Sequence, residues 1–143
     1  MSKAKSIMSI VFAIVVVILA IGMYLTFHGY LDSGQFEVKD TKWHSASQVA
    51  IIAKRSDHQA LDGDQYFILI SDHVPSAQQL RRAYYEDGLV FRAGSDCLSA
   101  RWEDSHNLVI SCPSNSIQAD EIAVQKHESA NIVIFYEGIP MAK

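Results

Sequence analysis

Residues 7–27 read IMSIVFAIVVVILAIGMYLTF, a run of 21 residues without a charge. At 1.5 Å of rise per residue such a run covers about 31 Å as a helix, close to the thickness of a bilayer's hydrocarbon core. A soluble helix of that length needs a polar face to meet water, and here the only polar side-chain atoms are the hydroxyls of Ser9, Tyr24 and Thr26. The run therefore predicts a transmembrane helix, and the rest of the chain reads as a tethered domain.

The flanks give an orientation. MSKAKS precedes the span with Lys3, Lys5 and no acid, whereas residues 28–39 carry Asp32 and Glu37 against Lys39 alone. The positive-inside rule then places residues 1–6 in the cytoplasm and the rest outside it, as in a single-pass membrane protein with an exported C-terminal domain. The competing reading is a cleaved signal peptide, with Ala20-Ile21-Gly22 as a small-x-small cleavage site. The apolar run continues past Gly22 to Phe27, further than a signal peptide needs, which favours the anchor. Under either reading the remainder is exported. One helical face carries Ser6, Ser9, Ala13, Val16, Ala20 and Met23. Ser9, Ala13 and Ala20 on that seam are candidate packing contacts for another membrane helix, although a lone anchor needs no such partner.

Beyond the span the chain divides into a linker, residues 28–42, with Phe36 to Val38 as the place where it can join the fold, a domain of residues 43–138 and a short tail, 139–143. About one hundred residues suffice for one small domain. All sixteen acids and ten of the twelve Lys and Arg lie beyond the span, a formal charge of −6. Such a domain has no electrostatic footprint for nucleic acid or anionic lipid. Lys54-Arg55 and Arg81-Arg82 are isolated pairs and not a polybasic patch. Cys97 and Cys112 are the only cysteines, and an oxidising compartment makes a disulfide between them the default expectation. Strand alternation works against it. If Leu98, Ala100 and Trp102 share a core with Leu108, Ile110 and Cys112, then Cys97 points to the opposite face unless a bulge or a register shift intervenes.

In chain order, 47–55 is β-rich and apolar on both faces at its centre, 56–64 is turn chemistry and 65–71 is the next strand, so the two strands predict a long-looped hairpin. Residues 72–88 predict the one soluble helix. Its signals are an N-cap at Ser76, Gln79 in the capping-box position, a stripe of Ala77, Leu80, Ala83 and Tyr84, and Gly88 as the C′ glycine. Glu86-Asp87 at its negative end is the weak point. Strands come next at 89–93, 97–103, 107–112, 120–126 and 131–137, with the tightest hairpin across Asp104-Ser105-His106. The sum is a transmembrane helix plus a small, mainly antiparallel β (α+β) domain of about seven strands and one helix.

The order SxxxVAIIAKRSD, YFILISD, GLVFRAG, ARWEDSHNLVIS and IVIFYEG, with the hairpin from Trp102 to Leu108 as its most distinctive piece, resembles a group of small bacterial proteins in which one N-terminal anchor carries a short β domain. The resemblance implies this fold and an envelope location. It brings no catalytic residues with it.

Three turns hold triad-like residues: Ser56-Asp57-His58, Ser71-Asp72-His73 and Asp104-Ser105-His106. Consecutive residues cannot by themselves put a serine and an aspartate on opposite sides of a histidine. Hairpin pairing also sends the first two triplets to opposite ends of the sheet, so backbone-capping turns explain them better. Asp62-Gly63-Asp64 lacks the ligand spacing of a calcium loop. His44 and His127 have no spaced partner, and no metal, cofactor or small-molecule substrate is implied. Arg81, Arg82, Tyr84 and Tyr85 alone have the composition of an exposed binding patch. The expectation is a non-catalytic, membrane-anchored protein-binding module. Its sharper form is an immunity or inhibitor protein against an envelope-acting toxin, with the acidic domain steering a basic partner. Anchored immunity proteins against bacteriocins share this plan, without a matching residue motif. The alternative is a structural or assembly subunit of an envelope complex.

Overall fold

The computed structural model describes residues 2–27, 34–57 and 63–143. It separates into two compact units, Met1–Ser33 and Gly34–Lys143. In the first, helix α1 (Ser2–Phe27) extends the expected span back into the basic flank, and within it Lys5–Thr26 has the length and apolarity of a membrane anchor or of a signal sequence. None of that stretch is buried inside the protein, so Ser9, Ala13 and Ala20 are uncovered within their own unit.

The second unit is an α+β fold of nine strands. One sheet runs in the order β1 (Gln35–Ser45), β2 (Gln48–Ser56), β3 (Gln65–Ser71), β4 (Phe91–Ala93) and β7 (Ile122–Gln125), with every neighbouring pair antiparallel. The other runs β5 (Ser99–Asp104), β6 (Asn107–Ser111), β9 (Ile132–Glu137) and β8 (Glu128–Ser129). It is mixed, because β9 lies parallel to β6 with Leu108 opposite Ile134. A 3₁₀ turn, Ala119–Glu121, leads into β7.

The apolar centre of β2 explains the layering. Ala50 and Ile52 face Ile68, Phe91 and the second sheet's Ala100, Leu108, Ile110 and Ile134, which form the inter-sheet core. Val49, Ile51 and Ala53 point the other way, onto Phe67, Leu69, Leu80 and Leu89, beneath helix α2 (Ala77–Tyr85). A strand buried on both faces reads as a continuous apolar run, as residues 49–53 do.

Two strands exceed the expected seven. β1 occupies residues assigned to the linker and includes Phe36 to Val38, where the linker was expected to join the fold. Its apolar alternation, Phe36 and Val38, stops at a register shift before Asp40. β8 has only two residues. The hairpin from β2 into β3 forms as expected, with Ile51 opposite Leu69.

Helix α2 has the expected start. Ser76 caps it, Ser76 Oγ accepts from the Gln79 N–H at 3.3 Å, and Gln79 Oε1 accepts from the Ser76 N–H at 2.8 Å. Its end differs. Asp87, with φ of 62°, takes the left-handed position, and Gly88 comes after it, donating its N–H to the Ala83 carbonyl at 2.9 Å. Gly88 is needed for that close approach, since a Cβ there would lie 3.0 Å from the Cα and Cβ of Ala83. Lys126 Nζ, 2.9 Å from the Asp87 carbonyl and 3.2 Å from its carboxylate, offsets the acids at the helix's negative end.

Cys97 and Cys112 are disulfide-bonded, with Cα atoms 5.3 Å apart. The pleat does not oppose this, because β5 begins at Ser99 and Cys97 lies in the preceding turn, released from strand alternation. The bond fits an oxidising compartment.

Candidate functional site

The side chains of α2 divide by helical spacing. Leu80 is buried, Ala83 and Tyr84 pack against the layer beneath, and Arg82 and Tyr85 face outward. Tyr84 is the hub of an aromatic cluster, with ring centroids 5.5 Å from Phe36, 5.2 Å from Phe67 and 5.2 Å from Tyr85, all edge-to-face. Such arrangements bring the positive ring edge to the negative face and fix the rings in place.

Three arginines lie over these rings. The Arg92 guanidinium is 4.9 Å and that of Arg55 5.6 Å from the Tyr84 centroid. Arg81 lies 6.0 Å from the Phe36 ring and 5.9 Å from the Tyr85 ring. The strand register supplies two of the three: Arg55 continues the face of Val49, Ile51 and Ala53 beyond the area that α2 covers, and Arg92 pairs with Phe67 on that same face. Arg55 is engaged by Asp57 at 2.9 Å, both side chains nearly buried. Arg92 has no carboxylate partner among the described residues, and its Nε is buried without a hydrogen bond. Beside the cluster an open groove of about 700 Å³ runs between the start of β1 and the first turns of α2, lined by Phe36, Glu37, Ser56, Ala77, Gln78 and Arg81.

Of the expected patch, Arg81 lines the groove and lies over the exposed Tyr85 ring. Tyr84 is a half-buried support, and Arg82 is exposed, outside the ring contacts. Phe36, Arg55 and Arg92 were not visible as parts of this site from sequence. The signal available was that Arg55 falls two residues after Ala53 on an alternating face.

The triad-like turns serve the backbone. Asp104 accepts the His106 N–H at 2.7 Å and the Asn107 amide at 2.6 Å, which hold its carboxyl below the usual aspartate range. The Ser105 hydroxyl lies 2.8 Å from His106 Nδ1. Ser71 Oγ accepts the His73 N–H, and the Asp72 carboxylate contacts the His73 ring, raising the His73 pKa and lowering that of Asp72. Ser56 and Ser71 stand at opposite ends of the paired β2 and β3, while His58 and Asp62 lie outside the described residues. Asp64 is paired with Lys54 at 2.8 Å. Among the described residues no three His, Cys, Asp or Glu side chains group as a metal site.

Comparison with protein-family models, curated proteins and solved structures returns no significant match.

Proposed function

We propose that the protein is a membrane-anchored, non-catalytic protein-binding module, with residues 1–6 in the cytoplasm and the Gly34–Lys143 domain on the periplasmic side of the bacterial cytoplasmic membrane. The rim of α2 supports this reading. Arg81 lines a groove and lies over the rings of Phe36 and the exposed Tyr85, and Tyr and Arg side chains over a packed base are the make-up of interface hot spots. The sharper form is an immunity or inhibitor protein, stationed where an envelope-acting toxin arrives.

A photocrosslinker at Tyr85 of the full chain in its own membrane is expected to trap one discrete protein, with none trapped from Val133 on the second sheet. Equal labelling from both positions rejects the module. Cells lacking the protein are expected to become sensitive to one member of an envelope-toxin panel; unchanged sensitivity to all of them rejects the immunity form.

A second reading, an assembly subunit, rests on the small-residue seam of Ser9, Ala13 and Ala20 along α1. Exchanging α1 for an unrelated membrane helix separates the two, because a tether tolerates the exchange and an assembly seam does not.

A further inference from the structure

We propose that β1 pairs antiparallel with β1 of a second copy of this chain, residue 37 of one copy opposite residue 42 of the other, so that the two five-stranded sheets join across a two-fold axis. The inference stands apart from the binding-module reading, and none of the outcomes below bears on the crosslink expected at Tyr85. β1 has eleven residues, the longest of the described strands, and it lies at the edge of its sheet, where its outer side presents a row of backbone N–H and C=O groups. The other edge of the same sheet, β7, has four residues.

The side chains argue for the occupant. Residues 37–42 read Glu-Val-Lys-Asp-Thr-Lys, in charge acid, neutral, base, acid, neutral, base. Laid against its own reverse, Glu37 meets Lys42, Lys39 meets Asp40 and Val38 meets Thr41, each twice by symmetry. No charge meets its like. The match also holds face by face. Glu37, Asp40 and Lys42 lie opposite Lys54, Ile52 and Ala50, on the face turned toward the second sheet, whereas Phe36, Val38, Thr41 and Trp43 lie opposite Arg55, Ala53, Ile51 and Val49, on the face beneath α2. Lys39 is the extra residue of the bulge between Val38 and Asp40, and its ammonium lies 3.3 Å from the Glu37 carboxylate, on the charged side. The four charged side chains are about half exposed and free to reach across. On the α2 face, Trp43, 47% exposed in the single chain, comes opposite Phe36 of the other copy and adds an aromatic side chain to the groove that Phe36 lines. Opposite-charge and aromatic pairs directly across two strands are the contacts that stabilise a sheet. Charge and a bulge on an edge discourage pairing with a strand of another pattern, and here they select the strand's own reverse. The Lys42 carbonyl accepts Trp102 Nε1 at 2.7 Å and keeps its second lone pair.

The test measures the mass of the full chain in detergent micelles by light scattering, with the detergent's share subtracted. The wild type is expected to be a dimer. Glu37→Lys with Asp40→Lys leaves only bases among these charges, and Lys39→Glu with Lys42→Glu leaves only acids. Each doubly changed chain is expected to be monomeric, its self-association at least about tenfold weaker, and an equimolar mixture of the two to recover the dimer. A monomeric wild type overturns the pairing. So does a dimer of either variant alone, and so does a mixture that stays monomeric while both variants unfold at the wild-type urea midpoint. Should a doubly changed chain unfold early, the single Lys42→Glu replaces it: its dimer is expected to weaken, and an unchanged dimer overturns the proposal. A dimer that survives both reversals and disappears when α1 is exchanged belongs to the seam of Ser9, Ala13 and Ala20, and likewise overturns the pairing of β1.

Discussion

Gly138 shows how much a single residue can carry here. Its φ of 70° is left-handed, and a Cβ at that position would overlap the carbonyl oxygen of Cys112. Both terms act against any side chain, so Gly138→Ala is expected to cost about 2–4 kcal/mol in urea unfolding of the domain. A loss below about 1 kcal/mol would show that the segment relaxes at little cost. His73 and Asp72 make a smaller, pH-dependent contribution at the surface. With the His73 pKa raised above 6.5, its share is present below the ordinary histidine pKa and disappears as pH rises through the raised value. With the Asp72 pKa lowered, its share is present above the ordinary aspartate pKa and disappears as pH falls through the lowered value. The pair is therefore fully charged only between the two. An NMR titration is expected to place the His73 midpoint above 6.5 and to return it toward 6.5 in Asp72→Asn. A midpoint indifferent to that substitution would dismiss the pairing. Neither effect was legible in the sequence, because a positive φ and a one-residue ring contact leave no periodic trace. Tyr84 and Tyr85 were legible as aromatics on a helix, but adjacent residues lie about 100° apart, and only packing decides which of them is buried.

At the level of elements, whatever depends on local chemistry was readable. Strand β3 matches residues 65–71, and the capping box of α2 arises from Ser76 and Gln79 at their spacing. Ser76→Ala is expected to destabilise the domain by about 1 kcal/mol, measured by thermal or urea unfolding, through loss of the Gln79 N–H acceptor. Features decided by strand pairing escaped, even where the partner is only a two-residue turn away, as β2 is from β1. β1 reads as a mixed linker because it is an edge strand rich in exposed charge, and its alternation breaks at a bulge. Only its pairing with β2 makes it a strand. The candidate site was half legible for the same reason. Arg81 and Tyr85 share a helix and were found together, whereas Arg55 and Arg92 arrive through the register of β2, β3 and β4.

Across the whole domain, one covalent bond fastens the turn after β4 to the end of β6. Cys97 and Cys112 are separated by 15 residues, and a loop of that length contributes about 3 kcal/mol by restricting the unfolded chain. Replacing both with serine is expected to lower the stability of the oxidised protein by about that amount, and to bring it level with the reduced wild type in matched urea titrations. Equal stability with and without the bond would contradict the chain-entropy account. The doubly apolar centre of β2 was legible, but neither the layering it serves nor the parallel pairing was anticipated, because hairpin logic recognises only neighbours in sequence. That pairing bears on how the protein is made. β9 is synthesised after every other described strand, yet it stands inside its sheet between β6 and β8, and it supplies Ile132 and Ile134 to the inter-sheet core. A nascent chain lacking β9 keeps a gap in the middle of that sheet, with the β6 edge and the apolar side chains of both layers open. The emergence of β9 is therefore the step that lets the second sheet close over the core it shares with the first.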